Sequence, residues 1–187
     1  MNFFYRITLI LILILFQSCA KEKEISAIKE INQEKEMIAT YKEAMENLEA
    51  GDGFYAAKKF LESELLFPQS DWAPKSALMA AYSYYYQDYY SEAVFNLKRF
   101  MNTYPSDERM VYANYLLAMC YYNTIADEKK DLAPLINAKK EFEKINLKYP
   151  NTDFALDSKF KMGLINDILA SKEMYIGRHY IKKEKWI

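Results

Sequence analysis

Two cysteines and one histidine are the reactive side chains to weigh first in this sequence: Cys19, Cys120 and His179. A thiolate attacks carbon or sulfur or binds a soft metal, and an imidazole moves protons near neutral pH. Metal sites need such residues clustered at short spacing, and these three stand far apart. No Gly-rich phosphate loop and no nucleophile motif accompanies them. The sequence therefore points to no catalytic residue, no metal and no cofactor. His179, in the helical pattern "KEMYIGRHYIKK", reads as a surface or packing residue. Cys120 reads as a buried small apolar side chain, the usual fate of a free cysteine. Binding chemistry is richer. Of seventeen tyrosines, six fall in "YSYYYQDYY", and tyrosine offers a large apolar face with a polar tip.

Cys19 needs its own explanation. Before it stands "MNFFYRITLILILILFQS", with one cation at Arg6, an apolar run from Ile7 to Phe16, then Gln17 and Ser18. This is the order of a signal peptide, and the run is short for a span of about 20 residues. A cysteine directly after such a run resembles the lipobox of bacterial lipoproteins. That resemblance implies acylation of the Cys19 thiol and cleavage of the peptide bond before it, so that Cys19 becomes the mature amino terminus. It also implies the periplasmic side of a Gram-negative envelope, and Ala20 in place of Asp suits the outer membrane. Residues 1–18 are thus expected to be a signal peptide and 19–33 a lipidated charged tether. "AKEKEISAIKEINQ" would be a solvated tether or a frayed helix start.

The elements that carry the tyrosines repeat. "LLFPQSDWA", "NTYPSDERM" and "LKYPNTDFA" set prolines at Pro68, Pro105 and Pro150, spaced 37 and 45 residues. Ala56, Ala93 and Ala138 keep the same step, as do Phe60, Leu97 and Phe142. Ala44, Ala81, Ala118 and Gly163 form a second series of small residues. The eight extra residues fall in an insertion at about 124–137, "TIADEKKDLAPLIN", expected to loop into solvent. Each unit reads as two helices separated by a turn, at Gly51-Asp52-Gly53 in the first and at Asp88 in the second, with proline closing the second helix. Few Gly and Pro argue against a turn-rich β fold. The expected fold is all-α, a tetratricopeptide-like right-handed superhelix of stacked antiparallel helix pairs. It would cover 34–187 in about four units, the last of them cut short. Near-neutral net charge gives no sign of a nucleic-acid partner.

The phrases "LEAGDGFYAAKKF", "AYSYYYQDYYSEAVFNLKRFMNTYP", "AKKEFEKINLKYPNTDFALDSKFKM" and "EMYIGRHYIKKEKW" resemble the BamD family, also called YfiO or ComL. Members are lipoproteins of the outer-membrane β-barrel assembly machinery. The resemblance implies a lipid-anchored scaffold rather than an enzyme. It implies several partners: a BamA-like β-barrel protein through its periplasmic domains, other lipoproteins of the complex, unfolded outer-membrane precursors, and the membrane through the lipid. The family has five repeats, and "YIKKEKWI" stands where a further helix is expected.

In tetratricopeptide proteins, certain first-helix positions line a groove. By phase these are Ile38, Tyr41, Met45 and Leu48; Leu78, Tyr82, Tyr85 and Tyr86; and Tyr112, Tyr115, Met119 and Tyr122. Tyr84 and Tyr121 are expected to fill helix interfaces instead. Arg178, Tyr180, Lys182 and Lys183 are candidates for the BamA contact, since basic and aromatic side chains commonly anchor interfaces. Two other readings stay open: a different tetratricopeptide lipoprotein adaptor (pilotin-like, or one coordinating the cell wall), and the helical module of a cell-wall enzyme.

Overall fold

The repeat signals translate directly into helices. In a computed structural model, which describes residues 20–124 and 132–183 and side chains from residue 29, seven helices follow one another. They are α1 (Ala20–Glu49), α2 (Gly53–Leu66), α3 (Trp72–Tyr86), α4 (Tyr90–Thr103), α5 (Met110–Asn123), α6 (Ala133–Lys148) and α7 (Asp153–Lys182). The signal peptide, Cys19, the charged centre of the insertion (125–131) and residues 184–187 lie outside the described residues. No described helix is long and apolar enough to cross a membrane.

Helix ends follow the expected punctuation. Pro68, Pro105 and Pro150 each lie two residues beyond the end of α2, α4 and α6, where a residue lacking an N–H cannot extend the helix. Asp52 caps α2 by accepting from the Tyr55 N–H, and Thr152 caps α7 by accepting from the Ala155 N–H. The turns need left-handed backbone. Gly51 supplies φ +88° in the first, and Asp88 adopts φ 61° at the corresponding turn of the second, a conformation that Asp tolerates better than most residues.

Each helix packs on the next, α3 also touches α5, and α5 touches α7. That leaves three antiparallel pairs, α1/α2, α3/α4 and α5/α6, followed by α7. The small-residue series explains the close packing: Ala44, Ala81, Ala118, Ala56, Ala93 and Ala138 are all fully buried, as are Phe60, Leu97 and Phe142. Gly53 permits the closest approach. A Cβ there would stand 2.8 Å from the Ser83 carbonyl oxygen. A buried polar chain ties the first three helices: Ser63 Oγ donates to the Met37 carbonyl at 3.1 Å and lies 3.2 Å from Ser76 Oγ.

Of the two readings of residues 20–33, a tether or a helix start, the helical one fits: they begin α1, and the first buried side chain among the described residues is Met37. Two expectations change. The insertion does not all loop out, because Ala133 to Asn137 form the first turn of α6. Pro134 there needs no N–H partner in a first turn, and Leu135 is fully buried. Gly163, fourth in the small-residue series, faces open space, because no helix among the described residues lies against that side of α7.

Candidate functional site

The tyrosines of α3 and α5 gather along one line of first helices, and Phe154 of α7 completes it. Tyr82 and Tyr86 stack with ring centres 6.3 Å apart, one helical turn apart on α3. Tyr85 tilts against Tyr90 at 5.9 Å. The Asn123 side-chain amide donates to the Tyr85 hydroxyl at 2.9 Å, joining the ends of α3 and α5. Farther along, Tyr112 and Tyr115 both meet Phe154, at 5.9 and 5.1 Å. Tyr115 and Tyr122 meet Phe142 at 6.2 and 6.3 Å, and the Lys161 ammonium lies 5.3 Å from the Tyr122 ring centre. A cleft of about 330 Å³ is lined by Tyr90, Tyr122, Asn123 and Ile168.

Their surroundings keep Tyr85, Tyr90, Tyr112 and Tyr115 neutral. Burial pushes Tyr112 up to about 12. The hydrogen bond to Asp88, with burial second, does the same for Tyr90. Burial raises Tyr85. Burial first and the Asp157 hydrogen bond second raise Tyr115. Neutral hydroxyls can donate to and accept from a peptide backbone while their rings take apolar side chains.

The groove set divides. Tyr82, Tyr85, Tyr112, Tyr115, Met119 and Tyr122 are half-buried and Tyr86 is exposed. Ile38, Met45 and Leu48 are half-buried on α1. Tyr41 and Leu78 must be removed from the set, since they are core residues at 7% and 4% exposure. Tyr41 meets both Phe60 and Trp72 edge-on at 5.1 Å, so its face is already occupied by α2 and α3. Leu78 sits in the cluster with Leu97, Phe100 and Leu116. Tyr84 is buried and Tyr121 packs against two core clusters. Phase alone missed Tyr90, Asn123, Phe154 and Lys161. Tyr90 stands in the tyrosine run; Asn123 is the last residue of α5, and Phe154 and Lys161 belong to α7.

Arg178, Tyr180 and Lys182 are exposed on α7 and Lys183 is exposed at its C-cap, yet they do not form one patch. At about 100° per residue, Arg178 and Lys182 fall on the side of Asp167. Tyr180 and Lys183 fall on the opposite side, in line with buried Ile165. His179 is exposed and its ring lies 6.1 Å from that of Tyr180. Cys120 is fully buried.

A family model described as "YfiO: Outer membrane lipoprotein" matches residues 33–187. The chain belongs to this family. Among its relatives, the "Outer membrane protein assembly factor BamD" of Caulobacter vibrioides is 36% identical over 152 residues, covering 81% of this chain and 50% of that protein. The protein of the same name from Rickettsia prowazekii is 41% identical over 129 residues, covering 69% and 51%. That of Neisseria meningitidis is 28% identical over 180 residues, covering 91% and 67%. The chain thus spans about half the length of the Caulobacter and Rickettsia proteins. Among solved structures, the first TPR domain of the human RPAP3 protein superposes with TM-score 0.54 at 17% identity, over 73% of this chain and 94% of that one. This likeness concerns fold, and the fold is all-α and tetratricopeptide-like.

Proposed function

We propose that the chain is a non-enzymatic, lipid-anchored scaffold of outer-membrane protein assembly, which helps dock and insert β-barrel precursors. The family match over 33–187 carries this reading, together with the assembly-factor names of its relatives. Acylation of Cys19 would hold it at the periplasmic face of the outer membrane, because several acyl chains at about 0.8 kcal/mol per buried CH₂ anchor firmly. A BamA-like β-barrel protein would dock through its periplasmic domains onto the carboxy-terminal part of α7, with Tyr180 and Lys183 on one face and Arg178 and Lys182 on the other.

Precursor capture is assigned to the aromatic line. An extended precursor segment ending in an aromatic residue would lay that ring among Tyr82, Tyr85, Tyr86 and Tyr90. Its backbone would meet the hydroxyls and Asn123. Met45, Tyr115, Met119 and Tyr122 would extend the strip to either side. Photocrosslinking of a precursor peptide tests the assignment, comparing wild type with the Tyr82→Ala/Tyr86→Ala variant. Capture should fall about tenfold, the scale of a lost aromatic anchor. Unchanged capture by a folded variant would sink the groove. Co-purification with a β-barrel protein that carries periplasmic domains tests the wider reading, and mass spectrometry of the mature amino terminus tests the anchor.

A further inference from the structure

One cation stands where the repeat calls for an apolar side chain. Lys161 follows Leu116 by 45 residues, and Leu116 follows Met79 by 37, the same steps that separate the prolines. Met79 packs against the cluster of Tyr41 and Phe60, and Leu116 is buried in the cluster of Ala81 and Leu97. At this phase a first helix faces the repeat before it. Lys161 obeys the phase: its side chain is 18% exposed, and its ammonium lies 5.3 Å from the ring centre of Tyr122 on α5. A lysine at a packed position buries its stem and carries its charge to an edge, here an aromatic face.

The charge of Lys161 is balanced but its hydrogen bonds are not made. Asp157 Oδ2 is 3.6 Å from the ammonium, too far for a hydrogen bond. The other ion pairs among the described residues span 2.6 to 3.3 Å. That Asp157 oxygen already accepts from the Tyr115 hydroxyl at 2.5 Å. An ammonium has three donors, and a largely buried one gains most from an anion that completes its hydrogen bonds. The Tyr122 ring that it touches also lines the cleft shared with Tyr90, Asn123 and Ile168. We infer that Lys161 binds the free α-carboxylate of the segment's last residue, so that the groove reads a chain end. This rests on the proposed capture of a precursor segment by the aromatic line, and it adds the group that sets specificity. The α-carboxylate is the anion of choice because it belongs to the same residue as the terminal ring. A ring in the cleft therefore delivers its own carboxylate to the other side of Tyr122. An acidic side chain next to that ring would point to the opposite face of an extended chain.

The test measures peptide binding by fluorescence anisotropy, with the full chain in detergent. The probe is a labelled peptide of about ten alternating polar and apolar residues ending in phenylalanine, made as the free acid and as the terminal amide. A third peptide is the amide with a glutamate two positions before the phenylalanine. Wild type should bind the acid about tenfold more tightly than either amide, the scale of one charge-assisted hydrogen bond. Lys161→Met and Lys161→Gln should bind all three alike, at the level of the amide on wild type, and Lys161→Arg should keep the preference. Tyr82→Ala/Tyr86→Ala should weaken acid and amide by the same factor and leave their ratio unchanged. Equal binding of acid and amide by wild type overturns the role of Lys161 and leaves the aromatic line standing. So does a preference that survives in a Lys161→Met or Lys161→Gln chain with wild-type circular dichroism. Binding of the glutamate amide as tightly as the acid overturns the assignment to a chain end. No binding of any peptide to wild type sinks the groove itself, and this inference with it.

Discussion

Arg99 on α4 grips Glu64 on α2 with both ends of its guanidinium, at 2.8 and 2.6 Å, across 35 residues of sequence. Tyr104 donates to the same carboxylate at 2.8 Å. Glu64 is 5% exposed, while the Arg99 side chain is about one-third exposed. The pair thus clamps the second helix of one repeat to that of the next.

Removing Arg99 strands a buried carboxylate. Arg99→Ala should cost about 2–3 kcal/mol, between the values for exposed and buried pairs. Arg99→Lys should recover only part, because an ammonium cannot make the fork. Urea unfolding measures both. Equal stability of Arg99→Ala and wild type would show that the clamp contributes nothing net.

Cys120 should make the protein sensitive to alkali. Burial pushes its thiol up to about 12, whereas an unfolded thiol titrates near about 8.5. The folded value is the higher one. Its stabilising contribution is therefore full below about pH 8.5 and lost as pH rises toward 12, since the unfolded state releases its proton first. Tyr90 and Tyr112, also raised to about 12, add to the loss only above about pH 10. Between about pH 8.5 and 10 the wild type should lose about 1–2 kcal/mol that Cys120→Ala does not. Urea midpoints at pH 8, 9 and 10 give the two slopes, and parallel slopes would refute the assignment.

Gly53 and Gly163 should respond oppositely to alanine. At Gly53 the new Cβ would lie 2.8 Å from the Ser83 carbonyl oxygen and 2.6 Å from Gln87 Cγ. The carbonyl belongs to a packed helix, so the cost should be about 1–3 kcal/mol. At Gly163 nothing lies within 4 Å, and the helix should gain about 0.5–1 kcal/mol. Thermal melts of the two variants should move in opposite directions.

Tyr115 ties α7 to the solenoid. Its hydroxyl donates to Asp157 Oδ2 at 2.5 Å, across 42 residues. Tyr115→Phe should remove about 1–2 kcal/mol locally, and hydrogen exchange in residues 153–170 should quicken about 5–30-fold. Exchange in α2 should stay unchanged. A uniform increase would mean that α7 opens only with the whole chain.

Much of this was legible in the residue order. The small residues at one phase, the large apolar residues at another and the prolines behind them name a helical repeat, because close helix packing admits little else at those positions. Asp88 could be placed in a turn because Gly51 stands one repeat earlier. The family phrases identified the relatives from which the proposed role is drawn.

Other features needed the third dimension. Tyr41, Tyr82 and Tyr122 share a residue type and a helical setting, but Phe60 and Trp72 close over Tyr41 while the others keep a free side. Which rings are core depends on what the neighbouring helix brings, and repeat phase cannot report that. The Arg99–Glu64 clamp and the Tyr115–Asp157 tie join residues 35 and 42 apart, a separation that only stacking makes short. Gly163 belongs to the small-residue series by sequence, yet it is exposed because no helix among the described residues covers that side of α7. Sequence determined the repeating unit, since local packing repeats with it. Tertiary structure decided which faces are spent on the neighbouring unit and which remain for a partner.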